Sequence, residues 1–347
     1  MKNRSVNRFA AILLGIVFLV SGQMKLQDPV GTMLVVTEYC KFFQLDFLLP
    51  AAKVLGQLLA LFEATLGVAL FTGVLRKVAA LCTYALLGVF TVVTLILWLK
   101  NPAMDCGCFG QAMHLSHAQS FWKNIILLAL ALLAFAPIRQ MGKPRADRWV
   151  AAGVAFASLL IALWYCNRHL PVVDFTEYNW GAKLFAAMDQ DDIYDKQPIL
   201  SFRDAEGNYL DERAAQGKAV VFSVYNLPEA PWERLQEQME AVFAAGEQPL
   251  LLVATDPSLP EASLIPAGLD PYFADYKTLI TLNRSNGGGS YFYNGELIDK
   301  WASAYAPEDF DAVFATDPVD LSSRKIIRRR IRAQGFLLYM FAVLILL

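Results

Sequence analysis

The sequence predicts an α-helical membrane protein, with a four-helix bundle plus a fifth helix, then an α/β soluble domain and a short C-terminal hydrophobic helix. Its 347 residues are 56% hydrophobic and only 18% charged, whereas soluble domains carry about 25% charged residues. The apolar excess lies in the first half, and residues 174–320 have an ordinary globular composition. The net charge of −2 provides no basic field, so nucleic acid is excluded as a partner. The composition therefore predicts two solvents, a lipid bilayer and water.

The membrane spans are predicted from length and apolar content. A helix needs roughly 20 apolar residues to cross the hydrocarbon core, and it satisfies its own backbone hydrogen bonds there. The predicted spans are residues 9–24, 54–75, 78–99, 121–136 and 149–166, and the shorter stretch 333–347 is a sixth candidate. No small-x-small cleavage site follows the first span and more spans come next, so an uncleaved anchor is predicted rather than a signal peptide.

The positive charges of the short loops predict the orientation. Lysines and arginines cluster at the N-terminus, in the turn at Arg76 and Lys77, and in the loop after the fourth span. If every span crosses, these three regions lie on the same side of the membrane, and this side should be cytoplasmic. Residues 101–120 and the soluble domain then lie on the non-cytoplasmic side of the membrane. The six basic residues between Arg324 and Arg332 conflict with this bias unless the translocated domain overrides it or they lie on the headgroups. If one span does not cross, the soluble domain is cytoplasmic instead.

Alternating strand and helix patterns describe the soluble domain. The predicted elements are a hairpin at 199–211, strands at 219–225, 250–255, 278–283, 290–293 and 296–301, and helices at 232–245 and 308–314. This order is that of a thioredoxin-like fold. The predicted domains are the bundle at 1–137, a cytoplasmic loop with the fifth helix at 138–170, the soluble domain at 171–320, and a basic segment with the hydrophobic helix at 321–347.

Two cysteines separated by one glycine lie between the third and fourth spans. Cys106 and Cys108 can close a small disulfide, because Gly107 admits backbone angles that other residues resist. A strained pair of this kind would exchange its disulfide rather than serve as a staple. Unoxidised thiols that pack the loop onto the bundle are the other interpretation. The pair is the main catalytic candidate.

Metal binding is a second interpretation of the same loop. His114 and His117 follow the cysteines, so Cys106, Cys108, His114 and His117 could supply four zinc ligands, although the Cys-x-Cys gap is tighter than usual. The favoured interpretation has no metal, with the histidines as interfacial loop residues. The remaining cysteines are Cys40 and Cys166, each either a resolving thiol or a small buried residue, and Cys82, which is expected to be inert packing.

Glu63 is a carboxyl group in the middle of the second span. Ionisable groups within a bilayer are costly and mark a functional site by default. The sequence supports two roles for Glu63 equally: part of a proton or quinone site, or a structural hydrogen bond between helices. Lys25 at the end of the first span is a candidate partner, and snorkelling to the interface also explains it.

The soluble domain lacks the cysteines of a redox-active thioredoxin fold. A Cys-x-x-Cys pair would lie at the start of the helix after the first central strand. That position reads Asn226-Leu227-Pro228-Glu229-Ala230-Pro231-Trp232. Dithiol chemistry by this domain is excluded, so it is expected to bind or position a partner.

Several of these motifs resemble the DoxX/MauE superfamily. They are Ser21-Gly22-Gln23-Met24-Lys25-Leu26 with Asp28-Pro29, Glu63 followed by Gly67, and Asp105-Cys106-Gly107-Cys108-Phe109-Gly110 with Asn124. The whole chain is similar to a Bacteroidetes branch with a C-terminal thioredoxin-like domain, through Leu170-Pro171-Val172-Val173-Asp174-Phe175 and Trp180-Gly181. MauE proteins are linked to the maturation of a disulfide-rich periplasmic dehydrogenase, and the helix arrangement is similar to that of quinone-coupled thiol oxidases.

Two hypotheses of different classes follow. In the first, the chain is a membrane thiol–disulfide or envelope-protein maturation factor, with Cys106 and Cys108 as the exchanging pair and Glu63 at a proton or quinone site. The resemblance implies that role for the pair, but no second Cys-x-x-Cys is present to pass electrons to quinone. In the second, a non-enzymatic membrane scaffold or membrane-complex subunit binds a partner through its soluble domain. A thiol pair that cycles between two redox states distinguishes the first hypothesis.

Overall fold

A computed structural model describes residues 2–104, 106–111, 115–135, 144, 146–185 and 197–346. The chain divides into two compact units. The first comprises Met1–Asn167 with Gly335–Leu347, and the second comprises Arg168–Gln334. The first unit is helical, and the second contains a six-stranded sheet. The predicted fold class, a helical membrane part and an α/β soluble domain, is confirmed. The thioredoxin-like assignment stays a prediction.

Six helices form the main body of the first unit. They are α1 (Lys2–Gln27), α2 (Pro29–Phe42), α3 (Ala52–Thr72), α4 (Arg76–Lys100), α5 (His117–Phe135) and α6 (Ala146–Arg168). Five stretches are long and apolar enough to cross a membrane, namely Ser5–Gln27, Asp46–Thr72, Arg76–Lys100, His117–Phe135 and Ala146–Arg168. Each overlaps one of the five predicted spans, although the span predicted at 54–75 runs three residues past Thr72 and residue 136 lies outside the described residues. The chain is a multi-pass membrane protein, as its composition predicts.

Glycines bring α1 and α3 into backbone contact. A Cβ atom on Gly22 would lie 2.5 Å from the backbone nitrogen of Ala64, and a Cβ atom on Gly67 would lie 2.5 Å from that of Leu19. Real Cβ atoms do not approach other atoms this closely, so both positions exclude any larger residue without helix movement. Small residues permit close packing of membrane helices, where dispersion and hydrogen bonds replace the hydrophobic effect. This contact sets α1 and α3 at the distance that the polar residues described below require.

The segment between the first two spans is helical rather than an open loop. Helix α2 begins at Pro29, a favoured first helical residue, and the Asp28 carboxylate caps it by accepting a 2.8 Å hydrogen bond from the Gly31 amide. The Thr32 hydroxyl donates to the carbonyl oxygen of Lys25 at 2.9 Å, which ties α2 to the end of α1. A 3₁₀ helix, Asp46–Ala51, then leads into α3. A span-length criterion misses α2, because a helix of 14 residues is too short to cross a bilayer.

The second unit is built on a mixed sheet. Its strands are β2 (Phe202–Arg203), β3 (Lys218–Val224), β4 (Pro249–Val253), β5 (Pro271–Ala274), β6 (Gly288–Tyr293) and β7 (Glu296–Trp301), and a short strand, β1 (Cys108–Gln111), lies in the first unit. The order is β2-β5-β4-β3-β6-β7, with β3, β4 and β5 parallel to one another and β2, β6 and β7 antiparallel to their neighbours. The helices are α7 (Glu212–Ala215), α8 (Trp232–Ala244), α9 (Tyr276–Leu282) and α10 (Phe310–Ala315). Strands β3 and β4 are almost wholly buried.

One prediction in this unit is wrong. Residues 278–282, expected to belong to a strand at 278–283, lie in helix α9, because the Asp275 carboxylate accepts hydrogen bonds from the amides of Lys277 and Thr278 and so caps a helix there. This cap outweighs the strand preference of the β-branched residues that follow. A strand, β5, ends immediately before the cap.

The hairpin predicted at 199–211 is present in a short form. Arg203 and Tyr209 form an antiparallel bridge, and the Leu210 amide donates to the carbonyl oxygen of Phe202 at 3.0 Å.

The last helix, α11 (Pro318–Leu346), is one continuous helix of 29 residues. The sequence predicted a separate hydrophobic helix from residue 333. Instead, the basic segment and the apolar tail share one helix, and no proline interrupts residues 321–346. Helix α11 is not among the stretches that qualify as membrane spans over the described residues.

Candidate functional site

Glu63 is buried at 0% exposure in α3 and pairs with a lysine of α1. Lys25 Nζ lies 2.6 Å from Glu63 Oε2, and the hydroxyl of Ser21 lies 2.7 Å from the same oxygen. Ser21 and Lys25 are four residues apart and therefore share one face of α1. Glu63 Oε1 has no hydrogen-bond partner within the described part of the chain. Lys25 and Glu63 therefore form a buried ion pair, in which the second carboxylate oxygen can accept a further hydrogen bond.

The same two side chains hold the cysteine loop. Lys25 Nζ donates to the carbonyl oxygen of Cys108 at 2.9 Å and to Ser21 Oγ at 2.9 Å, and Ser21 Oγ lies 2.7 Å from the Cys108 carbonyl. An ammonium has three N–H donors, and those of Lys25 match the three acceptors Glu63 Oε2, Ser21 Oγ and Cys108 O. Lysine snorkelling is therefore not the role of Lys25. It joins the mid-membrane carboxylate to the cysteine loop.

Cys106 contacts the first residue of α5. Its Sγ lies 3.1 Å from His117 Nδ1, and His117 Nε2 lies 3.0 Å from the carbonyl oxygen of Pro102. A carbonyl oxygen only accepts, so Nε2 carries a hydrogen and the neutral ring presents the Nδ1 lone pair to the thiol. The arrangement gives the Cys106 proton an acceptor, and the N-terminal end of α5 favours negative charge on sulfur.

A reciprocal cap fixes the position of His117. The Ser116 hydroxyl accepts from the Gln119 amide at 3.2 Å, and Gln119 Oε1 accepts from the Ser116 amide at 2.9 Å. This is a capping box, with a serine three residues before a glutamine. It defines where α5 begins and therefore holds the imidazole at the helix end.

The glycine between the cysteines permits close packing of the loop on α2. Gly107 has φ +57°, and a Cβ there would lie 2.3 Å from Val35 Cγ1. Any other residue would suffer both backbone strain and a clash. Tyr39, also on α2, donates its hydroxyl to the Cys106 carbonyl oxygen at 2.9 Å. Burial and, to a smaller extent, the nearby thiol groups raise the pKa of Tyr39, which keeps this donor protonated.

One cavity of about 300 Å³ connects these groups. Its polar lining includes Ser21, Lys25, Tyr39, Glu63, Cys106 and Cys108, and most of the rest of its wall is aliphatic or aromatic. Ligand sites are typically apolar cavities of about 300–1,000 Å³ with few convergent polar groups. Cys106 is 5% exposed and Cys108 is half-buried, so the two thiols differ in their access to solvent.

Residues 4–137 match the family model described as methylamine utilisation protein MauE. The match covers the first five helices of the first unit together with the cysteine loop, and it confirms the resemblance predicted for this part of the sequence. No curated protein and no solved structure matches the chain. The MauE-like bundle, defined here as residues 4–137, therefore contains every polar group of the cavity named above.

The MauE-like bundle brings together the three residues that the sequence singled out. Cys106, Cys108 and Glu63 line one cavity, and Cys40 lines it as well. Cys82 and Cys166 are not among the residues that line it. None of the five cysteines, all of which lie in the described ranges, forms a disulfide in this structure.

One ligand of the metal alternative, His114, lies outside the described residues. Among the residues that are described, there is no group of three or more His, Cys, Asp or Glu side chains that could hold a metal. Cys106 contacts His117, another residue of that alternative.

Three contributors were not assigned a role from sequence. Ser21, Tyr39 and the proton-accepting nitrogen of His117 lie at the site. The Ser116–Gln119 spacing is a signal that would have placed His117 at a helix start. No sequence signal places Tyr39, because it lies on α2, which was expected to be a loop.

Proposed function

We propose that the protein is a membrane thiol–disulfide exchange factor that acts in the maturation of envelope proteins, with Cys106 and Cys108 as the exchanging pair. The observation that carries the proposal is the 3.1 Å contact between Cys106 Sγ and His117 Nδ1 beside a second thiol in the same cavity. A thiol next to a histidine is the usual arrangement of an activated cysteine.

The exposures of the two thiols support different roles for them. Half-buried Cys108 is the accessible sulfur, and Cys106, buried against His117, is the leaving sulfur. A client thiolate attacks Cys108 Sγ of the oxidised pair, which forms a client–Cys108 disulfide and breaks the Cys106–Cys108 bond. Cys106 leaves as a thiolate and takes up the proton that the client thiol released to solvent, and the resulting thiol donates toward the lone pair of His117 Nδ1. Stabilising the leaving thiolate accelerates exchange.

A second client thiolate completes the exchange. It attacks the client sulfur of the mixed disulfide and releases Cys108 as a thiolate, which is then protonated. The client has lost two electrons and two protons, and the cysteine pair has gained both. The reverse sequence would reduce a client disulfide with the same groups.

We propose a quinone as the acceptor that would regenerate the disulfide. The aliphatic and aromatic wall suits its ring and tail, and Glu63 Oε1 is a buried acceptor with no partner among the described residues. When bound, a quinone supplies a sink for two electrons and two protons. The chain's own contribution would be proton handling, with Glu63 Oε1 taking up a proton and Lys25 holding the carboxylate in place.

Trapping thiols with a mass tag in intact cells tests the exchange. The wild type should show both oxidised and reduced Cys106/Cys108, and C106S and C108S should each abolish client maturation without lowering protein abundance. C82S, a serine substitution on α4 away from the cavity lining, is the matched control and should mature clients normally. A pair that stays in one redox state in growing cells refutes the exchange.

Alkylation of Cys106 by iodoacetamide tests the role of His117 separately. In a C108S background, H117A should slow the alkylation of Cys106 near pH 7, since the imidazole no longer accepts the thiol proton and the thiolate is the form that reacts. An unchanged pH–rate profile refutes the assignment, whatever the redox assay shows.

The soluble domain does not perform thiol chemistry in this proposal. No cysteine follows Cys166 in the sequence, so the second unit contributes binding or positioning of the client. The rival function is a membrane scaffold or complex subunit without enzymatic activity. It is supported by the same lack of cysteines after Cys166. It predicts normal client maturation in C106S.

The proposal places Cys108 and the soluble domain on the periplasmic side of an inner membrane. Engineered cysteines at exposed positions of the second unit, introduced in a C108S background, should react with a membrane-impermeant maleimide in intact cells. Protection of these sites until the cells are lysed would put the domain in the cytoplasm and contradict the proposed location.

A further inference from the structure

The basic segment of α11, defined as Arg324–Arg332, has two different sides. Lys325 pairs with Asp299, and Arg329 lies over the ring of Trp180. Both partners belong to the second unit. The 100° spacing of helical residues places these two cations on the side that faces the sheet domain. The protein itself therefore occupies that side of the segment.

The exposed part of the segment combines cations with apolar side chains in solvent. Arg324, Arg328 and Arg332 follow at intervals of four residues, and each is exposed. Ile327 and Ile331, which directly precede Arg328 and Arg332, are 58% and 61% exposed. A solvated helix face has no need of isoleucines, whereas an interfacial helix inserts apolar side chains between headgroups and pairs its arginines with lipid phosphates.

The basic segment leads directly into the apolar end of the same helix, since α11 runs without a break from Pro318 to Leu346. A cationic stretch beside an apolar one suits the border between lipid headgroups and hydrocarbon.

We infer that Arg324, Ile327, Arg328, Ile331 and Arg332 form a binding face for the phosphate groups of anionic phospholipids. Arginine suits this ligand because its planar fork makes paired hydrogen bonds to phosphate oxygens. Each basic residue near an anionic surface attracts it by about 1 kcal/mol, which corresponds to about a fivefold preference. The inference is independent of the thiol chemistry proposed above.

Lipid selectivity of the full-length protein tests the face. Wild type and R324Q/R328Q/R332Q would be reconstituted in phosphatidylcholine vesicles with spin-labelled phosphatidylglycerol or spin-labelled phosphatidylcholine. The relative association of the anionic probe should exceed that of the zwitterionic probe for the wild type, and the triple variant should lose at least fivefold of this preference. Raising the salt concentration should weaken the wild-type preference, because exposed charges are screened.

A charge-matched control removes the effect of net charge. K183Q/R234Q/K277Q loses three exposed cations of the second unit and should retain the wild-type lipid preference. Equal loss in both variants would mean that net charge alone is responsible, and no preference in the wild type would overturn the inference outright. Titration of the detergent-solubilised protein with glycerol phosphate should give no saturable binding below millimolar concentration. Tight binding would instead indicate a site for a soluble phosphate.

Discussion

Removing the ammonium of Lys25 is expected to destabilise the MauE-like bundle strongly. K25M would leave the Glu63 carboxylate, at 0% exposure, with one donor, the Ser21 hydroxyl, and with Oε1 still unpartnered. It would also remove a donor from the Cys108 carbonyl oxygen. Breaking a buried ion pair by deleting one partner costs about 3–5 kcal/mol, because the remaining charge is uncompensated.

A double-mutant cycle separates the pair from its neighbours. K25M/E63Q removes both charges, and replacing a buried pair by uncharged groups is often close to neutral. The double variant should therefore recover at least about 2 kcal/mol relative to K25M alone. The free energy of unfolding would be measured by denaturant titration in detergent micelles, with helical circular dichroism as the signal. K53M, which removes an exposed lysine at the start of α3, is the control and should change stability by less than about 0.5 kcal/mol.

Two outcomes would contradict the reasoning. A K25M variant within about 1 kcal/mol of the wild type would mean that Glu63 is neutral or hydrated in the bundle. Additive effects of K25M and E63Q would mean that the two side chains are not coupled.

Further predictions concern the loop, the helix contact and the soluble domain. Gly107→Ala should lower the free energy of unfolding by more than about 1 kcal/mol, because φ is +57° and the added Cβ meets Val35. Adding V35A should restore part of the lost stability. A G107A variant as stable as the wild type would contradict this packing. Gly22→Leu should separate α1 from α3 and abolish client maturation, as C106S does. G88L on α4, where nothing lies within 4 Å of the added Cβ, should leave client maturation intact. The amount of matured client and the abundance of the protein would be measured for both variants. Burial alone would raise the pKa of Asp174, but the adjacent Lys300 outweighs it and holds the pKa below its ordinary value. The Asp174 carboxylate therefore stabilises the domain above about pH 4, and this contribution is lost as pH falls through its native pKa; denaturant titration across pH 2–6 should show a smaller pH dependence for D174N than for the wild type.

Local patterns predicted most of the elements and singled out three of the residues that line the cavity. Apolar runs of about 20 residues identified the five spans, and short apolar runs identified β3 and β4. Cys106, Cys108 and Glu63 were found because a Cys-Gly-Cys loop and a carboxylate in a membrane span are rare and costly patterns. The chemistry of these residue types, rather than any knowledge of their contacts, identified them.

Long-range contacts account for what was not predicted. Helix α2 is too short for the span criterion, and its Tyr39 reaches the Cys106 carbonyl only after the chain folds back on α1. Residues 278–283 have a strand-like composition, and the cap at Asp275 decides their conformation. The pairing of Lys25 with Glu63 could be named as an alternative to snorkelling, but choosing between the two required the backbone approach at Gly22 and Gly67.

The loop is anchored through the main-chain oxygen of residue 108 rather than through its sulfur. Serine replacements at the two thiols therefore leave the tether to α1 in place, so they report on chemistry with little disturbance of architecture. Mixed-disulfide trapping, in which one thiol is removed so that the client stays attached, can consequently be attempted on this protein with a correctly positioned loop.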